Sequence, residues 1–261
     1  MTRGPARRTL ERQLESVADF SDPRAPLEQY LTTPTIAAHI AHLAAMHDDV
    51  AGTTVIDLGT GTGMLALAIG QYGPERVIGL DIDRAALQTA RANEHRVRAA
   101  LEDNGKKGPH ANADRTQPNY EWVQADVRTL PLCLESSRWD RTESTRKRST
   151  SSAVTIDTDQ APVVVVSNPP FGAQRGNRHA DRPFLEEASV LADVSYTIHN
   201  AGSQEFVESF ATDHGGTVTH AFQAILEVGH RFEFHDDEQA DLETEVYRIK
   251  WDQAQNSAVA R

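Results

Sequence analysis

The stretch Thr53-Thr54-Val55-Ile56-Asp57-Leu58-Gly59-Thr60-Gly61-Thr62-Gly63 decides how this chain folds. Its first half is rich in β-branched residues and predicts a strand over 53–58. Three glycines at alternate positions then break the strand, and a helix is expected from 64 to about 70. Alone, Gly-x-Gly-x-Gly is a weak signal; between a strand and a helix it is the setting in which a backbone closely approaches a ligand. The spacing is not the Gly-x-Gly-x-x-Gly of dinucleotide sites, and no Lys-Ser/Thr follows as in a triphosphate loop. A ligand without a pyrophosphate is therefore expected.

Toward the carboxyl terminus the pattern repeats. A strand over 76–80 ends in Asp81-Ile82-Asp83, and Asp83 is placed to cap a long helix through Leu87 and Ala90. Another strand, over 120–124, ends in Asp126-Val127. Val163-Val164-Val165-Val166 is an unbroken apolar run, as expected of a parallel strand buried on both faces. A strand over 194–198 follows, then helical spacing through Phe206, Val207 and Phe210 with Ser203 as its expected cap. Two long alternating segments, over 217–228 and 242–251, close the chain as an antiparallel pair. Alternation of strands and helices predicts a doubly wound α/β sheet.

Three acids stand at or beside the ends of three successive strands, where open α/β sheets bind ligands. Asp57 suits an ammonium or, through water, the amino acid part of a ligand. Asp81 suits two ribose hydroxyls. Asp126, with Val127, suits an adenine amino group, and Ile82 can pack on the ring. Together they point to S-adenosylmethionine, a nucleoside cofactor with a positively charged amino acid arm. The valine strand ends in Ser167-Asn168-Pro169-Pro170-Phe171-Gly172. Two prolines fix φ and restrict Asn168, giving a stiff hook. The Asn168 amide oxygen and the Pro169 carbonyl can accept hydrogen bonds from a substrate –NH2, and Phe171 can stack on its ring. The plainer reading makes Asn168 the start of a Pro-rich turn.

Before the glycine stretch, residues 5–20 place Leu10, Leu14 and Val17 on one helical face. Thr33 and Pro34 predict the start of a second helix through Met46 that buries Ile36, Ile40 and Leu43. His39, His42 and His47 have no carboxylate or cysteine at ligand spacing and read as a solvated face, so no metal site is expected. Residues 1–50 are expected to form an amino-terminal helical cap on the cofactor site, and 51–251 the catalytic domain. Polar stretches at about 102–119 and 135–161 interrupt that domain as irregular insertions. The basic run at 141–148 reads as a phosphate contact or equally as a solvated insertion.

Net charge is −12 over 261 residues, with only four lysines. Such an excess suits a cytoplasm of high salt, where charge maintains solubility and repulsion from a nucleic acid is screened. A single cysteine, Cys133, excludes an internal disulfide and suits a reducing interior. No stretch approaches the roughly 20 apolar residues of a membrane span, and no apolar segment follows the basic start, so a cytoplasmic location is expected.

Taken in order, Leu27-Glu28-Gln29-Tyr30-x-Thr32-x-Pro34, Asp57-Leu58-Gly59-Thr60-Gly61-Thr62-Gly63, Asp81-Ile82-Asp83, Asp126-Val127, Asn168-Pro169-Pro170-Phe171-Gly172 and Tyr196-x-Ile198-His199 resemble the methyltransferase-like protein 5 family. The resemblance covers about residues 10–250. It implies a Rossmann-like class I methyltransferase with a seven-stranded, mostly parallel sheet and an antiparallel carboxyl-terminal strand. It further implies S-adenosylmethionine-dependent methylation of adenosine N6 in small-subunit ribosomal RNA, in an archaeal relative. By the same resemblance, Gln29, Tyr30 and Thr32 close over the cofactor, and Asn168, Pro169, Pro170 and Phe171 form the catalytic hook. Phe171, His199 and His235 would meet the substrate, and the small zinc-binding activator Trm112 would be the partner. One departure stands out: Phe232-Glu233-Phe234-His235 continues into Asp236-Asp237-Glu238 where family members often carry a basic run. The alternatives are a protein glutamine N5-methyltransferase and a ribosome-assembly factor that binds S-adenosylmethionine without turnover.

Overall fold

A computed structural model describes residues 4–105, 117–135, 154–158, 160–171, 180–229 and 239–252. The expected strand after the amino-terminal helices is β1, Thr54–Leu58. It lies within a seven-stranded sheet together with β2 (Arg76–Asp81), β3 (Asn119–Gln124), β6 (Val163–Ser167), β7 (Val194–Asn200), β8 (Gly216–Gly229) and β9 (Gln239–Trp251). The order is β3-β2-β1-β6-β7-β9-β8. The first five strands in that order pair in parallel. β9 enters between β7 and β8 and is antiparallel to both. This is the Rossmann-like arrangement expected, with β1 hydrogen-bonded to β2 on one side and β6 on the other. The chain reverses its direction of winding between β1 and β6, which opens a crevice at the strands' carboxyl ends.

The valine run shows why a central parallel strand reads as continuously apolar. Val164 and Val166 join the core under α1 (Arg7–Leu14), α2 (Pro34–Met46), α3 (Met64–Ile69) and α4 (Arg84–Gly105). Val163 and Val165 face the opposite layer, with α5 (Arg182–Leu191) and α6 (Gln204–Asp213). Each of the four is at most 2% exposed, and complete burial of such a side chain stabilises by roughly 1.5–3 kcal/mol before chain entropy is charged against it.

Helix starts follow local chemistry. The Thr33 hydroxyl accepts from the Ile36 amide at 3.4 Å, and Pro34 begins α2. Asp83 Oδ1 accepts from the Ala85 amide at 2.9 Å ahead of α4. α1 is shorter than the expected span, although Val17 beyond its end stays buried. Ser203 departs from its expected role: its side chain makes no capping bond, while its amide meets Asn200 O and Glu245 Oε2. The stretch at 135–161 is also not irregular throughout. β4 (Leu132–Glu135) and β5 (Val154–Asp157) pair in parallel as a small second sheet. Low apolar content conceals the short run Val154-Thr155-Ile156, and burial of Leu132 and Ile156 against the core is what stabilises it. The basic run at 141–148, Gly172 and His235 lie outside the described residues.

A buried polar cluster ties distant parts of the chain together. Arg248 on β9 donates from Nε and Nη2 to Asp49, each at 2.8 Å, and from Nη1 to Thr219 Oγ1. The Tyr196 hydroxyl donates to the same Asp49 carboxylate. No helix among the described residues is long and apolar enough to cross a membrane.

Candidate active site

A cavity of about 330 Å³ opens at the carboxyl ends of β1, β2 and β6, within the size range of small-molecule sites. Every cofactor-binding residue expected from the sequence lines it except Gly63. Gly63 adopts a left-handed φ of 85° just before α3, and an added Cβ would lie 3.0 Å from Trp122 and 3.2 Å from Ala90. It is closely packed there and does not line the cavity. Gly59 and Gly61 do line the cavity, at φ of 68° and 53°. A Cβ on Gly59 would approach Phe184 to 2.9 Å, and one on Gly61 would approach Phe20 to 2.8 Å. Two aromatic rings are thus seated directly on the glycine loop.

Asp57 is 1% exposed. Its Oδ2 accepts from Thr60 Oγ1 at 2.7 Å and from the Ala66 amide at 3.0 Å, whereas Oδ1 is buried without a hydrogen-bond partner among the described residues. Burial pushes the carboxyl up to about 7, against the opposing pull of those two hydrogen bonds. A buried carboxylate oxygen left bare inside a ligand-sized cavity calls for a donor, and a cationic one most of all. Asp81 is held by the Gly61 amide on Oδ2 (2.7 Å) and the Asp83 amide on Oδ1 (2.8 Å), leaving lone pairs for hydroxyl donors. Burial raises its carboxyl as well.

Ile82, 50% exposed, presents an apolar surface in the cavity wall. Asp126 and Val127 line the same end, and Asp126 Oδ1 accepts from the Arg128 amide at 2.9 Å. Among the described residues, the charged ones lining the cavity are Glu28, Asp57, Asp81 and Asp126 against Arg128. That balance suits a cofactor carrying an ammonium and a sulfonium and opposes a polyphosphate. The bare Asp57 oxygen, the ribose-type acceptors on Asp81 and the exposed Ile82 together fit S-adenosylmethionine.

Gln29, Tyr30 and Thr32 belong to a strap that crosses the cavity. Gln29 Nε2 donates to Asp83 Oδ2 at 2.9 Å, and Gln29 Oε1 accepts from the Arg24 amide at 2.7 Å. Thr32 Oγ1 accepts from Asn168 Nδ2 at 2.9 Å. The remaining amide oxygen of Asn168 is buried without a partner among the described residues. The hook therefore meets the strap, and Asn168 and Pro170 reach the cavity while Pro169 is buried outside its lining.

Two expected substrate contacts have other surroundings. Phe171 is half-buried against the core and does not line the cavity, and its carbonyl accepts from Asn200 Nδ2 at 3.2 Å. His199 is 1% exposed. Its ring nitrogens meet Thr197 Oγ1 at 3.0 Å and Asp181 Oδ2 at 3.1 Å. With both nitrogens engaged inside the protein, His199 supports the start of α5 from β7.

Sequence reasoning missed Phe20, Phe184 and Asn93. Asn93, fully buried in α4, donates from Nδ2 to Ala18 O (2.8 Å) and Thr62 O (2.9 Å) and accepts from the Ala18 amide (2.9 Å). It joins the amino-terminal arm bearing Phe20 to the glycine loop. A signal existed: Asn93 continues the helical spacing of Ala86, Ala90 and Val97, the only polar member of that buried stripe. Phe20 and Phe184 had no such mark, because only the fold brings them over Gly61 and Gly59. Among the described residues, no group of three or more His, Cys, Asp or Glu side chains is placed to hold a metal ion.

Comparisons with known proteins extend this picture. Residues 32–117 match the family model for ribosomal protein L11 methyltransferase, a match that ends before the hook. An uncharacterized protein of Methanocaldococcus jannaschii is 31% identical over 92% of this chain and 92% of its own length. The rRNA N(6)-adenosine-methyltransferase Mettl5 of Drosophila melanogaster is 29% identical over 93% of this chain and 95% of its own. Among solved structures, a Pyrococcus horikoshii protein provisionally described as an RNA methyltransferase superposes with a TM-score of 0.67 at 29% identity, over 96% of this chain and 98% of that one.

Proposed function

This chain belongs to the class I S-adenosylmethionine-dependent methyltransferases, in the group of archaeal and Mettl5-like proteins, and we propose that it methylates the N6 amine of an adenosine in small-subunit ribosomal RNA. The observation that carries this reading is the Asn168 amide oxygen, buried and unpartnered among the described residues beside the cofactor cavity. A buried acceptor with no partner costs about 1–3 kcal/mol unless a donor arrives. An exocyclic amine brings that donor.

When bound, S-adenosylmethionine supplies an electrophilic methyl group. Asn168 Oδ1 and the Pro169 carbonyl would accept the two amine hydrogens. The lone pair of an adenine amine is delocalised into the ring, and acceptors on both hydrogens favour a pyramidal nitrogen whose lone pair is available. The same two oxygens stabilise the positive charge that grows on nitrogen. No strong base is needed beforehand, since the proton can leave after the new bond has formed. An unpaired adenosine reaches the hook at lower cost than one inside a duplex.

The names of the Drosophila and Pyrococcus relatives support an RNA substrate. With a net charge of −12, recognition must depend on shape, stacking and hydrogen bonding more than on phosphate attraction. A cytoplasm of high salt, a heterodimer with the activator Trm112, and a contact from His235 belong to the same proposal. The test incubates the protein, with and without that activator, with labelled S-adenosylmethionine and either ribosomal RNA or a release factor. Label in RNA, mapped as N6-methyladenosine, is the expected result. Label in protein alone would replace this reading with glutamine N5-methylation; binding without transfer to either would leave an assembly factor.

A further inference from the structure

We infer that Thr32 is a positioning residue for the target amine: it holds the Asn168 amide by one end, so that the strap over the cofactor cavity also sets the acceptor for the substrate. This inference rests on the amine-transfer reading above. The two residues stand 136 positions apart in sequence and meet at 2.9 Å. Thr32 is 6% exposed, so water cannot readily replace its hydroxyl. At the other end of the amide, Asn168 Oδ1 is buried and has no partner among the described residues.

An amide has a donor end and an acceptor end, and a threonine hydroxyl can serve either. Thr32 can therefore tether the side chain in both senses. An incoming amine offers its hydrogens and selects the sense in which Oδ1 faces it and Nδ2 donates to Thr32. Without that hydroxyl, Nδ2 would lose the partner that holds it. The amide would turn to satisfy it and carry Oδ1 away from the amine.

Thr32 is also well fixed from behind. Thr33 caps α2, whose first residue is Pro34. Ahead of it, Gln29 is held by Asp83 and by the Arg24 amide, and the Asp83 amide donates to Asp81, the expected ribose acceptor. The strap is thus anchored toward the cofactor end through Gln29 and toward the hook through Thr32.

The experiment compares Thr32→Val, which keeps the shape without the hydroxyl, with Thr32→Ser, which restores it, and includes Thr32→Ala in case valine crowds the site. Each is made in the full chain, alone and combined with Asn168→Ala. Single-turnover and steady-state transfer to ribosomal RNA are measured beside cofactor affinity by calorimetry. The expected result is a fall in kcat on the order of 10- to 100-fold for Thr32→Val, with cofactor affinity changed less than about threefold. Recovery of most of the rate is expected in Thr32→Ser, and no further loss when Thr32→Val is added to Asn168→Ala. A Thr32→Val and a Thr32→Ala protein with wild-type kcat would overturn the inference. So would a loss that persists in full on the Asn168→Ala background, or one matched by an equal loss of cofactor affinity. Absence of RNA transfer by the wild type would instead overturn the amine-transfer reading, and this inference with it.

Discussion

Asp57 and Asn168 each end in a buried oxygen without a partner among the described residues, and both residues line the cavity. For Asp57 this burial has a consequence in pH. Its folded value of about 7 lies above the ordinary 3.8, so folding takes up a proton between those limits. The protein without cofactor should lose stability as pH rises through that window. Cofactor binding works in the opposite sense, because an ammonium favours the carboxylate. Affinity for S-adenosylmethionine should be about tenfold lower at pH 6 than at pH 8, with proton release on binding near neutrality, and Asp57→Asn should flatten that profile. Calorimetry in buffers of different ionisation enthalpy checks it; an unchanged profile in the variant would assign the dependence elsewhere. For Asn168 the prediction concerns rate. Asn168→Ala should bind cofactor normally and transfer on the order of 100- to 1,000-fold more slowly, and full transfer by this variant would remove the hook from the mechanism. Both residues were legible in sequence, since each closes an apolar strand. Their missing partners were not, because an unpaired atom is a property of everything around it.

The glycine loop, the strap and α5 form one assembly. Phe184 at the start of α5 covers Gly59, and Phe20 covers Gly61. Gly59→Ala should therefore weaken cofactor binding and lower stability by about 1–2 kcal/mol through the left-handed backbone alone, with more lost to the clash. Adding Phe184→Ala should recover the clash component and leave the backbone component. Thermal melts and cofactor titrations on both proteins separate the two, and absence of any recovery would show that the ring is not the obstacle. Thr33-Pro34 announced α2 accurately, because a cap and a proline act locally. Ser203 before α6 did not behave as a cap, because its backbone is already helical (φ −84°, ψ −1°) where a capping side chain needs an extended one. β4 and β5 escaped notice because two four-residue strands become stable only against a core that neither sequence reveals.

Arg248, 3% exposed, and Asp49, 9% exposed, join β9 to the loop between α2 and β1. Arg248→Met should cost about 3–5 kcal/mol by leaving Asp49 uncompensated, and the double change with Asp49→Asn should recover part of it. Denaturant midpoints test this, with cofactor affinity expected to stay constant below the transition. Net charge of −12 sets a second expectation. Raising KCl from about 0.1 M to about 1 M shrinks the screening length from about 10 Å to about 3 Å and should raise Tm; a flat or falling Tm would remove the argument for a high-salt cytoplasm. The alternation of the main-sheet strands with helices, the double burial of β6 and the acids at the strand ends were determined by sequence alone, because hydrophobic period, caps and glycine spacing act over a few residues. Only the tertiary structure decided that Phe171 and His199 lie away from the cavity and that Gly63 is closely packed outside its lining. It likewise decided that Thr32 meets Asn168. Those contacts join residues up to 136 positions apart, and such meetings depend on how whole layers pack rather than on any local pattern.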